Sequence, residues 1–425
     1  MSSSFCCSTA PIPLSQVGAG NGSKKSTRDV KNLVRSLGVH KLRASPIESL
    51  ESGNWVKLIC GASFEDVVDI RNLSLVYTLA GVDCIDCAAD ESVVRAVNQG
   101  IDAARSILPV GRPWVMISAN DDEDLHFRKA EFDPADCPLD CTRPCENVCP
   151  ANAIILSKKD CLKKEHLQHA AGGVITERCY GCGRCFPVCP YDKIRLVTYS
   201  RDVDATAKLL SREDVNALEI HTNGRETSHF KTLWDGLGEA VTSLRLVAVS
   251  LPYAGEQTIS SMNTMFSIME PSLRCSNLWQ LDGRPMSGDI GRGATRESIA
   301  FAVRLAAASD RPSGFLQLAG GTNAHTVAGL RKHGLFQSKL SPRNGQSEYG
   351  SFGSSCASIG GIAFGGYARK IVGRALNSMP SSSEKHGETH PLIEDFPHYL
   401  WMALMEAAGL VGTVKNYDAA LLPGR

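Results

Sequence analysis

The chain has 425 residues, and its 45 basic side chains (Lys and Arg) balance 45 acidic ones (Asp and Glu), so the formal net charge is zero. Neutral charge without a basic stripe argues against nucleic-acid binding. No apolar run reaches the roughly 18 residues that a membrane-spanning helix needs. We therefore expect a soluble protein without a transmembrane segment or a nucleic-acid partner.

The first 33 residues are predicted to be a targeting segment. Up to Arg28 they are rich in serine, contain Lys24 and Lys25, and include no acidic residue. This composition is typical of organellar transit peptides. It predicts import into the chloroplast stroma, with the mitochondrial matrix as the alternative. If the chain is bacterial, the segment would be a disordered tail of a cytoplasmic protein.

Strand-like and helix-like segments alternate from residue 55. Predicted strands are Trp55–Cys60, Val82–Ala88 and Trp114–Ser118, and predicted helices are Phe64–Leu79 and Glu91–Ile107. Cys84 and Cys87 resemble a redox pair, but residues three apart on a strand point to opposite faces, so we predict simple packing. The acidic run Asp121–Asp124 is predicted to be a solvated loop rather than a metal site.

Two four-cysteine runs follow, each ending in Cys-Pro. The second run has the Cys-x2-Cys-x2-Cys-x3-Cys-Pro spacing of bacterial ferredoxins that bind [4Fe–4S] clusters; its members are Cys179, Cys182, Cys185 and Cys189. The first run has three-residue spacers throughout and is a looser relative; its members are Cys137, Cys141, Cys145 and Cys149. Two such runs predict an inserted two-cluster ferredoxin-like domain in a reducing compartment.

In ferredoxins of this type, the fourth cysteine of each run binds the other cluster. We therefore assign Cys149 to cluster A, with the first three cysteines of the second run. Cys189 goes to cluster B, with the first three cysteines of the first run. Structural zinc, a disulfide scaffold and buried free thiols are the alternatives, but zinc sites use paired knuckles a dozen or more residues apart. Whether the looser first run holds a full cubane stays open.

The alternation resumes after the cysteines. Five further strands are predicted at Ala217–Ile220, Leu244–Val249, Asn277–Leu281, Gly314–Leu318 and Gly361–Phe364. Eight strand–helix units predict an α/β fold, a (β/α)8 TIM-like barrel. An open doubly wound sheet is the alternative. The predicted boundaries are 34–135 and 196–425 for the two parts of the barrel, with the insert at 136–195 and an apolar C-terminal helix from Pro397.

Polar and glycine-rich loops follow three late strands and are candidate ligand sites. Glycine pairs after strands seven and eight suit phosphate binding, since backbone N–H groups can approach a ligand there. A flavin mononucleotide is one candidate ligand. The residues concerned are Asp282, Arg284, Asp289, Gly320, Gly321, Gly365 and Gly366. Tight turns and a salt-bridged loop explain the same composition. No catalytic residue is identified.

With the two cysteine runs, the Asp282–Asp289 loop and the strand pattern, the chain resembles the light-dependent-period (LdpA) family of cyanobacteria. The resemblance extends from about Asn32 to Leu410 and indicates a plastid-targeted plant or algal member. It implies an iron–sulfur protein that senses redox state and passes light-dependent information to the circadian clock within a protein complex.

Three classes of function remain. The first is a redox sensor or electron-relay module with redox or regulatory protein partners. The second is an oxidoreductase in which the clusters supply electrons to a substrate or flavin in the barrel. The third is a structural subunit whose clusters only maintain the fold. The sequence alone does not decide whether the protein is an enzyme.

Overall fold

The computed structural model describes residues 25–39, 45–138, 140–156, 172–224, 226–283, 292–338, 356–380 and 391–417. The helices are α1 (Thr27–Ser36), α2 (Pro46–Ser52), α3 (Val67–Ala80), α4 (Glu91–Ile107), α5 (Pro144–Val148), α6 (Val203–Leu210), α7 (Thr227–Leu237), α8 (Gln257–Met269), α9 (Arg296–Ala307), α10 (Thr326–Lys332), α11 (Gly366–Leu376) and α12 (Pro397–Lys415). The strands are β1 (Trp55–Gly61), β2 (Cys84–Ala88), β3 (Trp114–Asn120), β4 (Arg128–Glu131), β5 (Ile154–Leu156), β6 (Gly172–Val174), β7 (Arg195–Thr198), β8 (Ala217–His221), β9 (Leu246–Pro252), β10 (Ser276–Asp282), β11 (Phe315–Ala319) and β12 (Gly361–Phe364).

Eight of these strands form a closed parallel barrel in the order β1-β2-β3-β8-β9-β10-β11-β12. β1 closes the barrel because it pairs with β2 on one side and with β12 on the other. The predicted TIM-like barrel is confirmed, and the open-sheet alternative is wrong because a closed barrel has no edge strand. Active sites of such barrels lie at the carboxyl ends of the strands.

The barrel interior changes from apolar to polar along its axis. At the amino end, the rings of Trp55 and Trp114 pack edge to face with centroids 5.8 Å apart. The next layer of side chains toward the carboxyl ends of the strands contains Lys57, Asp86 and Glu219, which are fully buried. The lower half is therefore an ordinary hydrophobic core, and the polar groups are concentrated toward the mouth, the opening at the carboxyl ends of the strands.

The two cysteines of β2 point to opposite faces, as predicted. Cys84 packs inside the barrel with Trp114, whereas Cys87 packs in the core between the strands and the outer helices. Both thiols are fully buried, and burial raises the pKa of each well above that of a free cysteine. They are packing residues, not a redox pair.

The insert leaves the barrel after β3 and returns before α6. Its entry strand β4 and its exit strand β7 pair antiparallel, from Arg128 opposite Thr198 to Glu131 opposite Arg195. A second small ribbon is formed by β5 and β6. The secondary structure of the insert thus begins at β4, earlier than the predicted start at residue 136.

Helix α1 starts at a capping box in which Ser26 and Asp29 bond each other's backbone N–H groups. Its buried residues Val30, Leu33 and Val34 belong to the main core, and the helix packs on α12. The predicted boundary between residues 33 and 34 therefore falls inside a folded helix. Residues 1–24, which carry most of the predicted targeting segment, lie outside the described residues.

The predicted C-terminal helix is present as α12 and continues to Lys415. It packs on α3 and α11 outside the barrel rather than across the bottom. At its end, Lys415 forms an ion pair with the buried Asp83 at 2.7 Å. None of the described helices combines the length and the apolar character that crossing a bilayer would require.

Candidate functional site

Tight turns hold the second cysteine run in place. Gly181 and Gly183 have φ angles of 67° and 74°, a region that L side chains rarely adopt. A Cβ atom on Gly181 would also collide with the carbonyl oxygen of Arg128, because β4 passes directly behind this turn. The glycines in the x2 spacers are therefore structurally required. They let the chain wrap tightly enough for neighbouring cysteines to face one centre.

The structure gathers the eight cysteines around two cavities in the insert. The first, sulfur cavity A, is lined by Cys149, Cys179, Cys182 and Cys185. The second, sulfur cavity B, is lined by Cys137, Cys141, Cys145 and Cys189. Each cavity thus receives three cysteines from one run and the last cysteine of the other run. This is the grouping that the spacing predicted.

The surroundings of the sulfurs suit iron–sulfur clusters. Backbone N–H groups donate to cysteine sulfurs in both cavities: Ala130 to Cys179 at 3.4 Å, Ala153 to Cys149 at 3.2 Å, Arg143 to Cys141 at 3.4 Å and Lys193 to Cys189 at 3.4 Å. Such donors stabilise negative charge on sulfur and tune the potential of a bound cluster. The donor set of each cavity, four sulfurs with N–H support, therefore fits a [4Fe–4S] cubane.

The electrostatics of cavity A disfavour uncompensated thiolates. Burial, reinforced by the neighbouring Cys182 and Cys179, raises the pKa of the Cys185 thiol to about 12. In cavity B burial opposes ionisation of Cys189, but the backbone N–H groups around it outweigh burial and lower its pKa. Four thiolates can share cavity A only if a cation compensates their charge, which iron would do.

The alternatives to a cluster fit less well. A tetrahedral zinc site with Zn–S bonds near 2.3 Å would bring its sulfurs to roughly 3.8 Å from each other. Within the described part of the chain, which contains all eight of these cysteines, no three cysteine sulfurs lie within 4.8 Å of one another. All eight are free of disulfide bonds. The sulfurs are spaced around a volume rather than converging on one ion.

A cavity of about 370 Å³, the mouth cavity, opens at the carboxyl ends of the barrel strands beneath the insert. The predicted ligand loops meet here, since the cavity is lined by Asp282, Gly320, Gly321, Gly365 and Gly366. Arg284 and Asp289, predicted with them, lie outside the described residues. Arg369, Lys370 and Arg374 of α11 supply basic groups on the same side.

The insert forms the roof of the mouth cavity. Tyr180, Cys182 and Arg184 line it from above, opposite the barrel loops. Cys182 lines sulfur cavity A as well. A centre bound by the cysteines of cavity A would therefore be separated from the contents of the mouth cavity by little more than one side chain.

A buried charge cluster forms the floor of the mouth cavity, which Asp86 and Glu219 line. Lys57 forms an ion pair with Glu219, and Asp86 lies 3.9 Å from the same ammonium group. Burial alone would raise the pKa of Glu219, but the charges of Lys57 and His221 lower it to about 2. Burial and the nearby Glu219 raise the pKa of Asp86 to about 6. The centre of the barrel thus holds two carboxyl groups with different pKa values, those of Asp86 and Glu219, around the ammonium group of Lys57.

Sequence reasoning missed this cluster. Its signal was a single charged residue in each of two apolar strands, Lys57 in Trp-Val-Lys-Leu-Ile and Glu219 in Ala-Leu-Glu-Ile-His. The prediction of a solvated acidic run was wrong for Asp124. Its side chain is 14% exposed and lies between His126, at 2.7 Å, and His221, at 3.9 Å.

Comparison with known proteins agrees with these features. The family model for the light dependent period A C-terminal domain matches residues 209–413. The model for the LdpA Fe-S cluster-binding domain matches residues 137–200, which contain all eight cysteines. Among solved structures, the carboxyl transferase domain of Rhizobium etli pyruvate carboxylase aligns over 94% of this chain and 54% of its own, with 11% identity and a TM-score of 0.36. No conclusion follows from that distant likeness.

A curated relative covers nearly the whole chain. It is the protein "Light dependent period A" of Synechococcus elongatus, 40% identical over 371 residues that span 87% of this chain and 94% of the relative. Both the barrel and the insert fall within such an alignment. The chain belongs to the light dependent period A family, whose members carry an iron–sulfur cluster-binding domain.

Proposed function

We propose that the protein binds two [4Fe–4S] clusters and acts as a redox sensor or electron-relay module. The observation that carries this proposal is the division of the eight cysteines into two quartets, each lining its own cavity. Bound clusters would supply one-electron redox chemistry. The residues of this chain hold them, donate N–H groups to their ligands and limit the access of water.

The two cavities differ in their surroundings. Cavity A is adjacent to the barrel mouth through Cys182, and two of its cysteines, Cys179 and Cys185, are buried. Cavity B lies beside Tyr191, which is 41% exposed, and the insert also exposes Phe186. This arrangement supports a relay that exchanges electrons with a redox protein partner near cavity B and conveys the redox state to the barrel through cavity A.

The experiment is an iron and sulfide analysis of anaerobically prepared protein. Two cubanes require about eight iron and eight labile sulfide per chain. A value near four would mean that the looser run at cavity B holds no cubane. Zinc in place of iron would contradict the proposal.

A sensor must also change its conformation or its binding with redox state, because a switch needs different interactions in its two states. The loops at Gly320–Gly321 and Gly365–Gly366 border the same cavity as Cys182. We expect hydrogen exchange in these loops to differ between oxidised and reduced protein, while α12 stays unchanged. Identical exchange in both states would favour a plain electron carrier.

An oxidoreductase is the second candidate, and the mouth cavity favours it. The cavity places Cys182 opposite the glycine loops and the basic residues Arg369 and Lys370, a suitable arrangement for a phosphate-bearing ligand such as flavin mononucleotide. An absorption band of bound flavin in the purified protein, or redox-dependent turnover of a small molecule, would decide for the enzyme. Cluster absorption alone would support the sensor.

The biological setting is part of the proposal. The relative's name associates it with a light-dependent period. We infer a comparable regulatory input for this chain, acting within a protein complex and sensitive to light through redox state. The serine-rich, basic composition of residues 1–24 supports a plastid as the compartment.

A further inference from the structure

Three side chains with metal-binding atoms converge at the edge of the mouth cavity. Asp124 and His126 lie in the connection after β3, and His221 is the last residue of β8. One ligand atom from each lies within 4.8 Å of those from the other two. The convergence follows from the sheet, because β3 and β8 are neighbours and Asn120 pairs with His221 at their ends.

His221 is the central member of this group. The residue is 5% exposed. Its Nε2 is in ion-pair contact with Oε1 of Glu219 at 3.1 Å, whereas its Nδ1 has no hydrogen-bond partner among the described residues and faces Asp124 at 3.9 Å. The ring is held by two further aromatic contacts: its centroid is 4.7 Å from that of His126, in a tilted arrangement, and 5.2 Å from that of Phe127, edge to face. A buried ring nitrogen without a hydrogen bond is costly, so the Nδ1 side of His221, which faces Asp124, is the place for a further partner.

Carboxyl groups also surround these three side chains. Four carboxylates are gathered around this end of the barrel, those of Asp86, Asp124, Glu219 and Asp282. Lys57 is the permanent cation that the structure pairs with them, and it already contacts Glu219 and Asp86. Asp124 and Asp282 are left to the two histidines. Carboxyl oxygens beside the two imidazoles are therefore available as further ligands for a divalent ion.

We propose that Asp124, His126 and His221 bind a divalent transition-metal ion of the Zn²⁺ or Fe²⁺ class, separate from the cysteine sites. Two imidazoles and one carboxylate suit these ions, and such sets leave coordination positions open. Both histidines line the mouth cavity, so the open positions face it. Glu219, at 3.1 Å from His221, and Asp282 line the same cavity as additional carboxylates.

A purely electrostatic role for the histidines makes a different prediction. In that case His221 is a protonated imidazolium balanced by Glu219, whose Oε1 is 3.1 Å from Nε2, and added metal would compete poorly for it. In the metal site, the imidazole is neutral and the ion takes one of its nitrogens. Direct metal binding therefore separates the two explanations.

The test uses anaerobically prepared protein with its iron content intact, freed of loosely bound metal and then titrated with ZnCl2. We expect about one zinc per chain, with no loss of iron and no change in the visible spectrum. Asp124→Asn and His126→Gln should each weaken zinc binding at least about tenfold. Both residues are partly exposed, so these variants should fold. His229→Gln is the matched control, because His229 forms a surface pair with Asp122 at 3.2 Å.

X-ray absorption at the zinc edge then identifies the ligands. Nitrogen and oxygen neighbours near 2.0–2.1 Å, without sulfur, are expected. Sulfur neighbours would mean that zinc has entered the cysteine sites, and the proposal would be overturned. It would equally be overturned if the wild type bound no zinc, or if Asp124→Asn, His126→Gln and His229→Gln all bound zinc as the wild type does.

Discussion

Arg369 of α11 stacks on the ring of Tyr180 in the insert, with its guanidinium carbon 4.4 Å from the ring centroid. The same guanidinium donates to the carbonyl oxygens of Ile59, at 2.9 Å, and Cys60, at 2.7 Å, near the end of β1. Tyr180 follows directly after Cys179. The barrel therefore holds the turn of the second cysteine run through one cationic side chain fixed to its first strand.

Replacing Arg369 should loosen this connection. A desolvated cation–π contact contributes about 1–2 kcal/mol, so Arg369→Ala should accelerate hydrogen exchange around Tyr180 by roughly tenfold. The signal of the cluster assigned to cavity A should change with it. Arg331→Ala is the control, since Arg331 stacks on Phe336 at 4.8 Å outside the insert. Equal effects of the two variants would remove the special role of Arg369.

The assignment of the cysteines to two separate cavities makes opposite predictions for two single cysteines. Cys185→Ser should remove the electron paramagnetic resonance signal of cluster A, and Cys145→Ser that of cluster B, because they line different cavities. Each variant should keep about four iron per chain if the other cubane survives. Cys275→Ser, on a thiol outside both runs, should keep both signals. If both cluster variants lose the same signal, the assignment is wrong.

The buried ion pair in the barrel should be sensitive to the loss of its cation. Lys57→Met removes the ammonium group from the buried Glu219 and Asp86 and leaves Glu219 with its contact to His221. Breaking a buried ion pair in this way typically costs about 3–5 kcal/mol. Anaerobic urea unfolding should show this loss, and Glu219→Gln in the same chain should recover part of it. Lys231→Met breaks an exposed pair with Asp235 and should cost less than about 1 kcal/mol. A small effect of Lys57→Met would contradict the assigned charges.

Asp69 gives the stability a defined pH dependence. Burial, with a smaller contribution from Asp66, raises its pKa to about 6. Because the folded state holds this proton more tightly than the unfolded chain, whose pKa is near 3.9, the stabilisation is complete below about pH 4 and lost as the pH rises through 6. Between pH 5 and 7, the unfolding free energy of the wild type should fall relative to Asp69→Asn by on the order of 1 kcal/mol. Parallel pH profiles would refute the shift.

The N-terminal prediction can be tested without the folded protein. A fluorescent fusion of residues 1–60 should enter plastids, because its first part is serine-rich and basic without acidic residues. A fusion of residues 25–60 is the matched control and should stay in the cytosol. Mitochondrial entry of the longer fusion would favour the other organelle, and cytosolic retention would remove the targeting hypothesis.

The barrel was predictable because each of its strands is a short apolar run followed by a helical pattern. The ends of the helices were less predictable. Phe64 was the predicted start of α3, but the helix begins at Val67 because the side chain of Asp66 caps it. The charged interior was not predicted, since alternation along a strand separates its two faces without showing that Lys57 and Glu219 meet across a closed barrel.

The cysteine quartets were predictable because ligand spacing within a run is local information. The group of Asp124, His126 and His221 was not, because its members come together only through the pairing of β3 with β8 across the whole insert. The mouth cavity was predictable in part. Its glycine loops were expected from the βα alternation, but their position beneath Cys182 depends on how the insert folds back over the barrel.

The pairing of β4 with β7 has a consequence for how the protein matures. The insert leaves and re-enters the barrel through adjacent antiparallel strands, β4 and β7. Its two ends are therefore as close together as those of a short hairpin, whatever the length of the chain beyond Glu131. Lengthening a loop beyond such a closed base adds little closure entropy. The newly made chain can therefore complete its barrel before any iron arrives. Clusters bound by the proposed cysteines would then be delivered to a chain whose barrel is already folded.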